Sequence, residues 1–252
     1  MRRFSDRLGL PAMNTTSVKD DIHRTCEALF EPGQVAELRI LGVDGRRTRT
    51  DAGWFDDWDA LAAAALRYES RTRPDGLPNR LAENHGIYVT LNPLHEACLA
   101  RGANKVIEWA SQTTSDRDVL RRRWLPIDLD PVRPAGVSSS DAELDLARAK
   151  ADEIAAWFKE QHGAEPDVMA GSGNGVHLLF EINLPNNEHS YKVIADVLKA
   201  LDDKFSDDRV HVDTALSNAA RLIRLYGTLT RKGESTADRP HRRSVILQKR
   251  VR

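Results

Sequence analysis

Three carboxylates, a histidine in a glycine-rich stretch and a late run of arginines are the residues of this chain best suited to chemistry. Asp128 and Asp130 lie two apart at the end of the short apolar run Leu125-Pro126-Ile127-Asp128-Leu129-Asp130. On a strand, residues i and i+2 point to one face, so both carboxylates project together while Leu129 turns into a core. Two unpaired carboxylates that close repel each other and favour a divalent cation between or beside them. The same residues also read as a plain strand end entering an Asp-Pro turn at Asp130-Pro131.

The second stretch is Gly171-Ser172-Gly173-Asn174-Gly175-Val176-His177. Three glycines in five residues make a tight turn whose backbone N–H groups can face outward to a phosphate. His177 falls on the opposite strand face from Val176 and Leu178, where it can donate to a phosphate oxygen. A strand, not a helix, is expected to follow, so this is not a dinucleotide-binding fingerprint. A hairpin with an incidental histidine is the plainer reading. The third stretch begins at Val210-His211-Val212-Asp213, where a third carboxylate ends a short apolar strand. Arg221 and Arg224 are three apart and share a face on a helical turn. With Lys232 they suit a triphosphate or a nucleic-acid backbone. Alternatively they pair with the acidic residues Asp202, Asp203, Asp207 and Asp208.

Helices and strands that could position these groups are interspersed, which makes the class α+β or α/β. Helical spacing covers 17–30, 58–68, 94–100, 141–161 and 188–205. The third of these carries His95 and Cys98 one turn apart, read as packing. Ser140 and Glu143 make a capping box for the fourth, which His162-Gly163 closes. Strands are expected over 35–41, 86–91, 167–170, 175–182, 210–212 and 244–248, with a turn over 42–45. Residues 71–80 read as a loop, and 1–16 are expected to be mobile.

A chain of 252 residues suffices for one large domain or two closely packed lobes, and 40% hydrophobic residues supply a core. No apolar run approaches the roughly 20 residues of a membrane helix. Met1-Arg2-Arg3-Phe4 opens no secretory signal. Two cysteines, Cys26 and Cys98, exclude a disulfide framework and a four-cysteine zinc site. A cytoplasmic protein is the simplest reading. The formal net charge of −1 argues against indiscriminate nucleic-acid binding. Its distribution argues otherwise: ten Lys and Arg from Arg221 to Arg252 face only Glu234 and Asp238. With Arg121-Arg122-Arg123, they point to an anionic partner on one face.

The order Asp-x-Asp, Ser-x-Gly-x-Gly-x-His, hydrophobic-Asp resembles the archaeo-eukaryotic primase superfamily. More narrowly it is similar to the primase-polymerase domains of phages, plasmids and integrated elements. Ile87-Tyr88-Val89-Thr90-Leu91-Asn92-Pro93, the run from Asn218 to Thr228, and Arg239-Pro240-His241-Arg242-Arg243-Ser244 extend the likeness over about residues 35–247. Tyr226 stands where that group is expected to carry proline, and the Cys-rich zinc element of some relatives is missing.

The resemblance implies one catalytic domain over 17–252. An N-terminal α/β lobe of about 17–120 would pack on an RRM-like sheet over 121–252. It implies Asp128, Asp130 and Asp213 as catalytic ligands of two Mg²⁺ or Mn²⁺ ions, about 3.5–4 Å apart. His177 would contact the phosphates of the incoming nucleotide, with Ser172 and Gly173 in the supporting turn. Arg221, Arg224 and Lys232 would hold triphosphate or template, and Arg242 and Arg243 nucleic acid. The implied activity is template-directed nucleotidyl transfer, by a primase, a polymerase or both. Its partners would be single-stranded DNA, NTP or dNTP, and a helicase on the same or a separate chain. A non-catalytic replication-initiator or nucleic-acid-binding module is the alternative. A rolling-circle nuclease would need His-x-His and a nucleophilic tyrosine, which His211-x-Asp213 does not supply.

Overall fold

A computed structural model describes residues 18–44, 47–69 and 85–250. The expectations for 1–16 and for the loop 71–80 lie outside those residues. The chain runs α1 (Val18–Leu29), β1 (Ala36–Asp44), β2 (Arg47–Phe55), α2 (Trp58–Glu69), β3 (His85–Thr90) and β4 (Arg121–Pro131). It continues with α3 (Asp141–His162), β5 (Val168–Gly171), β6 (Val176–Pro185), α4 (Glu188–Phe205) and β7 (Val210–Val212). Last come β8 (Leu222–Arg224), β9 (Leu229–Thr230), β10 (Arg242–Arg243) and β11 (Val245–Lys249). No described helix is long and apolar enough to cross a membrane.

The strands form a four-stranded sheet ordered β2-β1-β3-β8, a five-stranded sheet ordered β11-β5-β6-β4-β7, and a β9–β10 ribbon. Neighbouring strands pair antiparallel throughout. From β4 to β7 the order of elements is βαββαβ, the split crossover arrangement. Alternation along its strands decides which layer each side chain joins. Leu125, Ile127 and Leu129 of β4, with Val176, Leu178 and Phe180 of β6, pack on Ala147, Ala151 and Ile154 of α3 and on α4. Trp124, Val168, Ala170 and Leu179 face the other way, into a core shared with α1, α2, β1, β3 and β8. Each fully buried aliphatic or aromatic side chain contributes about 1.5–3 kcal/mol.

Local signals set the helix limits. Ser140 caps α3 through the expected box: Glu143 N donates to Ser140 Oγ at 3.2 Å, and Ser140 N donates to Glu143 Oε2 at 2.8 Å. Such a cap is worth about 1 kcal/mol. Gly163 closes the helix at φ 65°. Asn187 caps α4, whose Ile194, Leu198, Leu201 and Phe205 recur at helical spacing and are buried.

Four expectations need correction. The hairpin-like reversal expected at 42–45 is displaced toward the C-terminus: residues 42–44 continue β1, and 47–55 form an unexpected strand, β2, paired antiparallel with β1 from Ala36↔Phe55 to Asp44↔Arg47. This strand has no apolar alternation in its first half because polar partners hold it. Arg49 makes two bonds to Asp51, at 2.7 and 2.8 Å, and Tyr68 OH donates to Asp51 at 2.8 Å. The helix expected over 94–100 is a 3-10 turn, Glu96–Arg101, between Pro93 and Gly102. Arg221 and Arg224 are not on a helical turn, because 222–224 is strand β8. The basic knot is tied into the fold. Arg121 and Arg123 share Glu31 at 3.0 and 3.1 Å, Arg123 also meets Glu181 at 3.4 Å, and Arg122 donates to Ser217 O at 2.6 Å.

Both cysteines are buried and free. Burial pushes the Cys26 thiol up to about 12 and raises Cys98 as well. Thiolate, not thiol, is the nucleophile. At pH 8 the native protein therefore reacts with a thiol reagent far more slowly than the same chain in denaturant. Rapid labelling of the native protein would show that α1 does not seal Cys26.

Candidate active site between the two sheets

Asp128 and His177 are direct cross-strand partners in the β4–β6 register. Residues opposite each other on an antiparallel pair project on the same face. Here that face is turned from α3 and α4 toward the four-stranded sheet. Asp130 follows two residues on and shares it. The facing sheet supplies its own cross-strand pair, Tyr88↔Arg224. The Arg224 guanidinium lies 4.4 Å from the centroid of the Tyr88 ring and donates to its hydroxyl at 3.1 Å. Between the two pairs opens a cavity of about 340 Å³, lined also by Arg133, Ser172, Asn174, Arg221, Arg231 and Lys232. That volume lies in the range of small-ligand sites.

Charge is unevenly distributed around this cavity. Two carboxylates, Asp128 and Asp130, meet five cationic side chains: Arg133, Arg221, Arg224, Arg231 and Lys232. Burial alone would raise Asp128, but the His177 ring, Arg221 and Arg133 outweigh it and hold the carboxyl below its usual range. Asp130 moves the other way. Burial and the Asp128 charge raise it against the pull of Arg133, 3.3 Å away, and Lys232. The two carboxylates thus behave as neighbours of which one stays ionised and the other resists ionisation.

His177 is 6% exposed. Its Nδ1 lies 2.8 Å from the Tyr226 hydroxyl, and its Nε2 lies 3.4 Å from Asp128 Oδ1. That oxygen is buried and, among the described residues, has no hydrogen-bond partner at normal distance and angle. Arg224 likewise has a buried Nη1 without a partner among the described residues, and burial lowers its affinity for its proton. Lys232 has no ion-pair partner among the described residues and is exposed at the mouth. Among the described residues the cavity therefore holds one buried acceptor oxygen and one buried donor nitrogen that the fold leaves without a hydrogen bond, a pattern compatible with a ligand site.

The remaining sequence-derived candidates lie beside the cavity or serve the scaffold. Asp213 donates its backbone N–H to Asp128 O at 2.9 Å, so its main chain abuts the pair. Its carboxylate is engaged elsewhere: Oδ1 accepts from Ala215 N at 2.8 Å and Oδ2 from Arg221 at 3.2 Å. Among the described residues no group of three or more His, Cys, Asp and Glu is placed to hold a metal ion. Ser172 lines the cavity, but its hydroxyl accepts from Gly175 N at 2.9 Å and its N–H donates to Gly175 O at 2.9 Å. These two N–H groups close the turn instead of facing outward. Gly173, at φ 96°, must be glycine because a side chain would strike Thr230.

Arg242 and Arg243 do not line the cavity. Arg242 donates to Ser139 O and to Asp141 at 2.6 Å, and Arg243 to Gly227 O at 2.6 Å. Arg239 grips Glu143 with two bonds of 2.7 Å. Much of the basic C-terminal stretch is thus paired within the fold. The expected alternative partners of Arg221 and Arg224 are not used, since these two meet Asp213 and Tyr88.

No protein-family model and no curated protein matches the chain. Among solved structures, it is similar to the catalytic domain of primase Repb' in complex with initiator DNA. The match has a TM-score of 0.47 at 10% identity and covers 93% of this chain and 86% of that one.

Sequence reasoning missed five polar cavity residues: Tyr88, Arg133, Asn174, Thr230 and Arg231. Tyr88 and Arg231 lie in stretches singled out for other reasons or read as tail. Asn174 Oδ1 accepts from Ser139 N at 2.9 Å, and its carbonyl accepts from the Ser139 hydroxyl at 2.6 Å, so the glycine-rich turn is docked on the loop before α3. Arg133 had a local signal, lying three residues after Asp130.

Proposed function

We propose that the cavity binds a nucleoside triphosphate and that the protein is a nucleotidyltransferase acting on a single-stranded DNA template. One observation carries this reading. A carboxylate pair with a histidine on one sheet faces a cationic wall on the other across a cavity of nucleotide scale. A 3′-hydroxyl would attack the α-phosphorus, forming one P–O bond as the bond to pyrophosphate breaks.

The chain's own groups divide that work. Arg224, Arg221 and Lys232 would neutralise the phosphate chain, and guanidinium forks suit it better than point charges. His177 would donate a hydrogen bond to a phosphate oxygen. The orphaned Asp128 Oδ1 and the raised Asp130 carboxyl fit a divalent cation, which would offset their repulsion. Mg²⁺ commonly takes one or two carboxylates and completes its shell with substrate phosphates and water, so a two-aspartate site suffices. Asp128 and Asp130 would hold it, and Asp213 would join only on release from Arg221. Such a cation lowers the pKa of an attacking hydroxyl and stabilises a leaving pyrophosphate.

The internal pairing of Arg239, Arg242 and Arg243 weighs against a purely backbone-binding module built on the C-terminal stretch. The test is incorporation of labelled NTP or dNTP on single-stranded DNA, with and without a primer, in Mg²⁺ and in Mn²⁺. Product without primer is expected of a primase, and extension alone of a polymerase. No product in either metal, with tight salt-sensitive DNA binding, would replace this reading by the initiator module.

A further inference from the structure

Of the three adjacent arginines that open β4, Arg121 and Arg123 face carboxylates, whereas Arg122 makes no ion pair among the described residues. It is nonetheless buried, at 4% exposure, and its Nε has no hydrogen-bond partner among those residues. The guanidinium lies 5.8 Å from the centroid of the Tyr191 ring. Arg122, Tyr191, Arg117 and the start of α4 line a second cavity, of about 340 Å³. We propose that this cavity holds single-stranded nucleic acid, with one backbone phosphate between Arg122 and the first turn of α4 and a neighbouring base on the Tyr191 ring. The site deepens the template-directed reading of the first cavity, on which the choice of ligand rests.

A buried charge is costly unless it is paired. Ser217 O, 2.6 Å from Nη1, gives Arg122 one acceptor and no counter-charge. Two carboxylates also line the cavity, Asp116 and Glu188, but they only partly offset the burial of the guanidinium. Asp116 Oδ1 already accepts from Ala220 N at 2.7 Å, and Glu188 is exposed. The 18-residue helix α4 adds donors at its opening turn. Asn187 Oδ1 accepts from Ser190 N at 2.9 Å, while the N–H groups of Glu188 and His189 have no acceptor among the described residues. Free N–H groups at the positive end of a helix suit a phosphate, and a guanidinium beside them supplies the matching charge.

Two features favour a strand over a small free anion. Tyr191 lies in the first turn of α4 and is 39% exposed. Every base has a face to lay on such a ring, so stacking there tolerates any sequence. Segment 214–221 also joins the two cavities. Leu216 and Arg221 line the first, while Ser217 O accepts from Arg122 and Ala220 N donates to Asp116 beside the second. A strand held at the second cavity is therefore separated from the first by one short stretch of the fold.

The test uses the whole protein without metal or nucleotide, and follows the binding of a short fluorescent oligothymidylate by anisotropy over a range of salt. Arg122→Gln should weaken binding by about tenfold and reduce the salt slope by about 0.7, the loss of one phosphate contact. Tyr191→Ala should weaken it by about tenfold with the slope unchanged, the loss of one stacked base. Glu188→Gln should tighten it by about twofold, because a like charge leaves the rim. In ¹H–¹⁵N spectra the amides of Glu188 and His189 should move on adding the oligonucleotide, and less on adding inorganic phosphate.

Amides of α4 that the oligonucleotide leaves in place overturn the assignment, as do wild-type affinity and slope in Arg122→Gln. Movement with inorganic phosphate and none with the oligonucleotide would make this a small-anion site and overturn it equally. The wild-type spectra and the exposed-site variant Tyr191→Ala stand even if Arg122→Gln folds poorly. An oligonucleotide that moves the α4 amides of a protein incorporating no nucleotide supports the second site and sinks the transferase reading. Incorporation with those amides unmoved does the reverse.

Discussion

If the proposed function holds, replacing Asp128 and Asp130 together by asparagine should lower nucleotide incorporation by at least about 10²-fold while the fold persists. Groups that only orient a metal's ligands already cost about 10–100-fold when removed, so the ligands themselves should cost no less. Asparagine keeps the shape and removes the charge. The effects on stability oppose each other. The Asp128 charge is held favourably by its cationic neighbours, so its loss destabilises the protein near neutral pH. The Asp130 charge is disfavoured by burial and by Asp128, so its loss is stabilising. Circular dichroism should show a folded protein with a thermal midpoint close to wild type. Full incorporation by the double variant would remove these residues from the chemistry.

Gly175→Ala has the second large effect. A Cβ at Gly175 would collide with the Leu129 carbonyl oxygen and lie 3.0 Å from Asp130 Oδ1. The obstacle is β4 backbone, not the free end of a side chain, so the β4–β6 contact must open just where the carboxylates project. Overpacking of this kind costs about 1–3 kcal/mol, a fall in thermal midpoint of roughly 2–12 °C for a chain this size. Activity should fall further than stability explains, because Asp130 is displaced. Gly171→Ala is the matched control: its Cβ would meet only Val245 Cγ1, at 3.9 Å, and its midpoint should stay close to wild type. Equal behaviour of the two variants would show that close β4–β6 packing does not set the site.

Strongly periodic elements were legible in the sequence. Helix α4 matches its expected limits, and the capping box of α3 lies where Ser140 and Glu143 placed it. These signals are local, so the sequence order alone carries them. Strand β2 was not legible, because its polar half is held by Arg49, Asp51 and Tyr68 across the fold rather than by apolar alternation. The site divides the same way. Asp128 and Asp130 share a face because strands alternate, which spacing alone reveals. That Asp128 stands opposite His177, or Tyr88 opposite Arg224, depends on register between strands far apart in sequence. Nor could spacing show that Asp213 would face Arg221, since the competing partner lies on another element. The pairing of the basic stretch was illegible for a related reason: charge along a sequence does not reveal which carboxylates will fold onto it.

Strand β8 has a consequence for synthesis. It pairs with β3 and completes the sheet that otherwise comprises β1 to β3, yet it is made only after β4 to β7. As the chain emerges from the ribosome, β3 would have an open hydrogen-bonding edge from residue 90 until residue 222 arrives. An open edge is a template for wrong partners. The same late strand brings Arg224 to Tyr88, so the cationic wall cannot assemble on a nascent chain that stops short of it. Slow synthesis between these two points would lengthen exposure of the edge and favour aggregation, whereas the cavity would arise only in the last step of folding.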